Sequence, residues 1–365
     1  MLTMGAKKGG LVMRIGFSAV LIVMAQAASG EGLPAPLTDA DFAPVDEMEA
    51  RLGQLLFYDP ILSGNGTVSC ATCHHPAFGT GDGLSLGIGD GGVGLGPKRV
   101  VNPDNIPEQR IPRNAPAQLN LGAHEFTELF QDGRIEVDPE RLGGLRTPLD
   151  ADMVTGFASL LSAQTMFPVL SPDEMAGHYG ENDVSTAVRQ GRLTGTGGAW
   201  DILSTRVASV PDYAGAFAEV YPEIAAGRPI DFTDISDAIA AFVAWEWRSD
   251  TSPVDTYLRD GIPLPDPAMR GLELFYGAAG CAACHAGALM TDHAFHAMGA
   301  PQIGPGKAER FESHQRDIGR MRVTGRAEDA YAFRTPSLRN VTRTGPWGHA
   351  GAHRELAQFL RDHAA

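Results

Sequence analysis

The chain has 365 residues, 43% of them hydrophobic, 20% charged and 7% aromatic, with a net charge of −15. That balance belongs to a globular protein long enough for two domains with cores, and it argues against a disordered tail or a membrane-embedded body. An acidic surface repels phosphates, which argues against nucleic acid as a partner and suits a soluble protein that meets basic ones.

The first thirty residues carry a basic head (Lys7, Lys8, Arg14), an apolar run from residue 15 to 24 too short to span a bilayer as a stable helix, and Ala25-Gln26-Ala27, a small-x-small cleavage pattern. They read as a secretory signal peptide over residues 1–27, with an uncleaved anchor as the alternative. Either places the folded part outside the cytoplasm, in the periplasm. No second run of spanning length follows, so no stable membrane insertion is expected.

After a Pro-rich lead-in, apolar residues at helical spacing predict a helix over Glu47–Tyr58, ending at Asp59-Pro60. A tight turn over residues 62–69 then delivers Cys70-Ala71-Thr72-Cys73-His74. Residues 79–96 are dominated by glycine and read as a mobile loop. Residues 139–150 form a polar connector, Met153–Met166 resumes a helical pattern, and Ser171-Pro172-Asp173-Glu174 suits a short helix start. Residues 182–224 read as helical with a Gly-rich break at 194–198, and Ile235–Trp247 is the clearest amphipathic helix. Ser252-Pro253 begins a linker, Ala268–Tyr276 forms another helix, and Cys281-Ala282-Ala283-Cys284-His285 follows.

The two cysteine stretches are copies of C-x-x-C-H and use every cysteine in the chain. Two residues between the thiols match the separation of the two vinyl groups of a haem, to which the thiols add as thioethers, and the adjacent histidine turns back to bind the iron. At this composition about 10⁻³ chance copies are expected, so two are a signal. A four-cysteine zinc site needs no histidine after each pair, and a redox dithiol is expected inside a βαβ pattern that is missing here. Each copy is preceded by a helix ending Gly-x-x-Leu-Phe-Tyr (53–58 and 271–276). The repeat implies a mainly α fold: two cytochrome c-like haem domains in tandem with long loops, at 28–252 and 253–365, each burying one covalently bound c-type haem.

The set Leu56-Phe57-Tyr58-Asp59-Pro60, the first C-x-x-C-H, Arg113-Asn114-Ala115-Pro116, Asp132-Gly133-Arg134, the second C-x-x-C-H, Arg334-Thr335-Pro336-Ser337-Leu338-Arg339-Asn340 and Thr344-Gly345-Pro346 resembles the bacterial di-haem cytochrome c peroxidases and their MauG-type relatives. The resemblance implies that Cys70, Cys73 and His74 hold a peroxidatic haem, and that Cys281, Cys284 and His285 hold an electron-transfer haem. It assigns the distal pocket to Gln164 and Glu174, with Pro168 between them. A carboxyl there can take a proton from a peroxide and return it to the leaving oxygen; without the resemblance, Glu174 reads as a helix-start acid.

The family's sixth ligand to the second haem lies seven residues after a Leu. Here Leu356 leads to His363, which implies bis-histidine ligation; a surface tail histidine is the alternative, with Met298 and His296 as substitute ligands. A calcium between the haems would use Asn114, Thr344 and Pro346. Two departures stand out: Gln131 replaces the Trp that precedes Asp-Gly-Arg in the family, leaving electron transfer direct or through Trp347, and residues 79–96 contain no histidine to block the first iron. His75 is expected to face solvent. The implied activity is reduction of hydrogen peroxide to water with electrons from a small soluble cytochrome c or cupredoxin. The alternatives are a MauG-like oxidase that modifies a partner and a non-catalytic electron carrier. A homodimer is left open.

Overall fold

The computed structural model describes residues 32–306 and 316–364, so the expected signal peptide lies outside the described residues. The helices in order are α1 (Glu47–Tyr58), α2 (Cys70–Cys73), α3 (Leu160–Thr165), α4 (Asp183–Arg189), α5 (Ala199–Ala208), α6 (Pro211–Val220), α7 (Pro222–Ala225), α8 (Phe232–Glu246), α9 (Pro253–Asp260), α10 (Asp266–Tyr276), α11 (Met321–Thr324) and α12 (Leu356–His363). Strands are short and antiparallel. They are β1 (Gly92–Val93) with β2 (Val100–Val101), β3 (Glu128–Leu129) with β4 (Ile135–Val137) and β5 (Leu145–Arg146), and β6 (Phe295–His296) with β7 (Phe333–Arg334). The mainly helical class is as the sequence patterning predicts.

Asp46 starts α1 by accepting from the N–H groups of Met48 and Glu49. Its buried face, Leu52, Leu56 and Phe57, lies against α8, whose Phe242 and the following Trp247 meet the Phe57 ring at 5.2 and 4.9 Å between centroids. Gly53 is required at this crossing: a Cβ would stand 1.8 Å from the Ala238 carbonyl oxygen. The contiguous core draws on residues 37–247 and takes only Leu289 from later in the chain.

Three expectations are corrected. α3 is shorter than Met153–Met166, because Gly156 takes φ 104° and Ser159 then caps the helix at the Ser162 N–H. Ser252-Pro253 opens α9 instead of a linker: the Ser252 hydroxyl caps the helix, proline occupies its first turn, and Asp255 is buried in an ion pair with Arg339 at 2.7 Å. The Gly-rich loop is no free loop. Arg99 donates to the carbonyls of Ile88, Gly89 and Gly94, Arg110 donates to those of Ser85, Leu86 and Gly87, and residues 92–93 form β1.

The later part of the chain is packed differently. Neither α10 nor α12 contains a buried residue although both are amphipathic, and Gly271, the counterpart of Gly53, has open space where a Cβ would go. Among the described residues no helix is long and apolar enough to cross a membrane.

Candidate active site

α2 is a single turn opened by Ser69, and its brevity puts Cys70, Cys73 and His74 together in the wall of one cavity. Gln164, Pro168, Glu174 and Met175 line the same cavity, together with Phe130, Gln131 and Arg134. The haem motif and the two residues that the resemblance assigns a hundred positions later thus share one chamber. Burial pushes the thiols of Cys70 and Cys73 up to about 12, opposite to what a redox dithiol requires. The one cluster of three metal-binding side chains among the described residues, Cys284, Asp292 and His296, takes a single cysteine, so the four-cysteine zinc alternative is not formed.

His74 is oriented from behind. Its Nδ1 lies 3.0 Å from the Thr80 carbonyl and 3.1 Å from Gln118 Nε2, which leaves Nε2 to bind a metal, the usual division of labour in a ligating histidine. The second motif repeats this: His285 Nδ1 lies 3.1 Å from the Met290 carbonyl. Thr80 and Met290 both sit at positive φ, 63° and 55°, a costly conformation for residues other than glycine. The same strained turn serves both histidines. Sequence reasoning missed Thr80 and Met290, since a carbonyl acceptor leaves no side-chain signature, and Gln118, whose amide meets His74 from 44 residues away. His75 is also corrected: half-buried, its ring accepts from the Ala77 N–H and caps the turn over 76–78.

The loop over 79–96 positions Glu174. The Asp90 N–H donates to the Glu174 carbonyl at 3.0 Å, Asp90 itself is buried among Asn65, Thr67 and Asn105, and a Cβ on Gly89 would fall 2.3 Å from the carbonyl oxygens of both Asp173 and Glu174. Gly89→Ala must push the Glu174 segment away. The expected result is an at least tenfold slower reaction with peroxide at unchanged helical content, read by stopped-flow absorbance and circular dichroism.

At the second centre the rings of His285 and His363 stand 6.4 Å apart between centroids. An imidazole nitrogen binds a metal at about 2.0–2.1 Å, and His285 and His363 are the residues that would hold an iron here. The open faces of α10 and α12 lie in the same part of the chain. His363 is held by stacking on Phe359 at 5.2 Å. Of the substitute ligands, Met298 is 51% exposed and His296 is paired with Asp292 at 2.9 Å.

A buried ion network borders the His74 chamber. Arg113 pairs with Asp132 at 2.7 Å and holds Asp317 through two bonds of 2.7 and 2.8 Å, while Arg134 reaches Asp132 at 3.1 Å and stacks on Phe130 at 3.5 Å. Gln131 donates to the Asn114 carbonyl, and its own carbonyl accepts from Arg334 N–H at 2.8 Å. Trp347 is not in the cavity wall; its indole donates to the Val341 carbonyl. Asn114 meets the Pro346 carbonyl at 2.6 Å and leaves Oδ1 buried without a partner, whereas the Thr344 hydroxyl is spent on Val341.

A paired-histidine, paired C-x-x-C-H chain with a carboxyl-bearing chamber over one motif defines a class of di-haem redox protein. Comparison with known proteins places it further: the model of the di-haem cytochrome c peroxidase family matches residues 47–261, and the chain belongs to that family, whose cofactors are two c-type haems. It is an oxidoreductase. It is 32% identical over 337 residues to the methylamine utilization protein MauG of Methylorubrum extorquens, covering 91% of this chain and 72% of that protein. It is 28% identical over 325 residues to the cytochrome c551 peroxidase of Pseudomonas aeruginosa, covering 89% and 74%. Among solved structures, a MauG-like protein associated with microbial copper homeostasis superposes with a TM-score of 0.61 at 26% identity, over 92% of this chain and 81% of that one.

Proposed function

We propose that this chain is a periplasmic di-haem peroxidase that reduces hydrogen peroxide to water with electrons from a small soluble redox protein. In this reading residues 28–252 and 253–365 are two haem-bearing units, His74 serves the peroxide site and His285 with His363 serves the electron-entry site. The observation that carries it is the shared chamber of Cys70, Cys73, His74, Gln164 and Glu174. When bound, the haems supply the electrons and the Lewis acidity. The chain supplies proton traffic and exclusion of water. The Glu174 carboxylate takes the proton from one peroxide oxygen and hands it to the other, turning that oxygen into a leaving water. Gln164 offers an amide on the same wall to orient the peroxide, and Pro168 and Met175 make the chamber apolar around it. The buried, partnerless Oδ1 of Asn114 beside the Pro346 carbonyl suits a calcium, with Thr344 contributing its carbonyl and waters filling the rest.

The second reading, a MauG-like oxidation of a partner, is favoured by one observation. The residue facing His285 is another imidazole, a weaker stabiliser of ferrous iron than a thioether. Absorption and EPR spectra of the ferric protein, before and after one equivalent of peroxide, test both. One high-spin and one low-spin haem with a peroxide-dependent Soret change support them; two low-spin haems and no change refute both. Rapid reoxidation of a reduced donor during turnover selects the peroxidase. His363→Ala is expected to convert the low-spin haem to high-spin, leaving the other spectrum as it was.

A further inference from the structure

Among the described residues Arg334 has no counter-ion within salt-bridge distance. Its Nη1 is buried without a hydrogen-bond partner, its Nε reaches only the Phe130 carbonyl at 3.4 Å, and the guanidinium lies over the Phe126 ring at 5.7 Å. Three buried arginines are paired with carboxylates, Arg113 with Asp132 and Asp317, Arg320 with Glu136 and Arg339 with Asp255, and Arg99 is saturated by three carbonyls. Burial draws the Arg334 guanidinium below its ordinary value, with Glu128 acting against this from a distance. A half-buried guanidinium with an unpaired buried Nη1 is left short of acceptors, so a bound anion is the expected complement.

The backbone fixes where that anion sits. Arg334 is in β7, in register with Phe295 of β6. The next residue, Thr335, donates to the Ala294 carbonyl at 2.9 Å and accepts from the Thr291 hydroxyl at 2.7 Å. The Pro336 carbonyl then reaches His285. Arg334 is thus built into the loop that carries His285, and its side chain projects toward Phe126 and Phe130 of the earlier part of the chain.

We propose that Arg334 would anchor a haem carboxylate at the His285 centre. Its planar fork suits bidentate pairing with a carboxylate, which no side chain among the described residues supplies. The assignment rests on the two-haem reading above. A cation held there disfavours the more positive ferric state, so the pair raises the reduction potential of that haem relative to a neutral partner.

The test is a potentiometric titration of the di-haem protein and of Arg334→Gln, following both Soret waves. A tenfold shift of the His285 haem toward ferric, 59 mV lower for one electron, is expected, with the His74 haem unmoved. An unchanged His285 wave, or a shift confined to the His74 haem, overturns the proposal. If Arg334→Gln does not accumulate, Arg334→Lys is read by resonance Raman. A shifted propionate-bending band at the His285 haem supports the anchor, and an unshifted one overturns it. Two waves in the parent protein show that the two-haem reading stands when the proposal falls; a single wave shows that the reading itself has failed.

Discussion

Glu174→Gln is expected to slow the reaction with hydrogen peroxide by about 10²–10⁴-fold, the usual worth of a positioned proton carrier. The amide keeps the size of the side chain and can still donate a hydrogen bond, but it cannot accept and return a proton. The fold does not depend on this carboxylate: the turn over Pro172–Ala176 has no side-chain cap from Ser171, and the neighbouring Asp173 carboxylate is the one bound to Gln109, at 2.8 Å. Stopped-flow measurement of the Soret change against peroxide concentration gives the rate. A variant that reacts at the parent rate but melts earlier would return Glu174 to the helix-start role.

The second large effect is on stability. Asp132 is completely buried and shared by Arg113 and Arg134. Asp132→Ala leaves Arg134 without its carboxylate and Arg113 with Asp317 alone, and breaking such a pair from one side costs about 3–5 kcal/mol. Guanidinium unfolding of the di-haem protein should show that loss in its midpoint; a change within ordinary surface-mutation range would mean the network is neutral. The same network sets a pH limit. Burial pushes the Asp317 carboxyl up, but its bond to Arg113 and the charge of Arg113 outweigh this and hold it below the ordinary value. A depressed folded-state pKa stabilises fully above the unfolded value of about 3.9 and is lost as pH falls through the folded one. Acid should therefore loosen the parent protein more than Asp317→Asn.

The haem motifs were legible because covalent chemistry fixes their spacing, and Gln164 and Glu174 because the resemblance supplied an interval of ten residues. α1 and α8 were legible from periodicity, since each lays one apolar stripe on the other. What the sequence hid is carried by backbone. The Thr80 and Met290 carbonyls, the Pro336 carbonyl and the Gly89 close approach depend on φ values and chain crossings that residue types alone do not announce. The repeated Gly-x-x-Leu-Phe-Tyr also promised more likeness than exists. Gly53 lets α1 touch α8, whereas the same letter at Gly271 faces open space.

The clamp of Arg113 on Asp132 and Asp317, with Arg320 donating to the carbonyls of Asp132 and Gly133, has a meaning for timing. It rivets residues 113–134, several of which line the His74 chamber, to residues 317–320, so in the proposed two-haem reading the spacing is expected to be set when the chain folds. Passage from one haem to the other then has the character of tunnelling across a rigid spacer. In that reading its rate is expected to be the same in glycerol and in plain buffer, and a rate that falls with viscosity would mean the spacer moves.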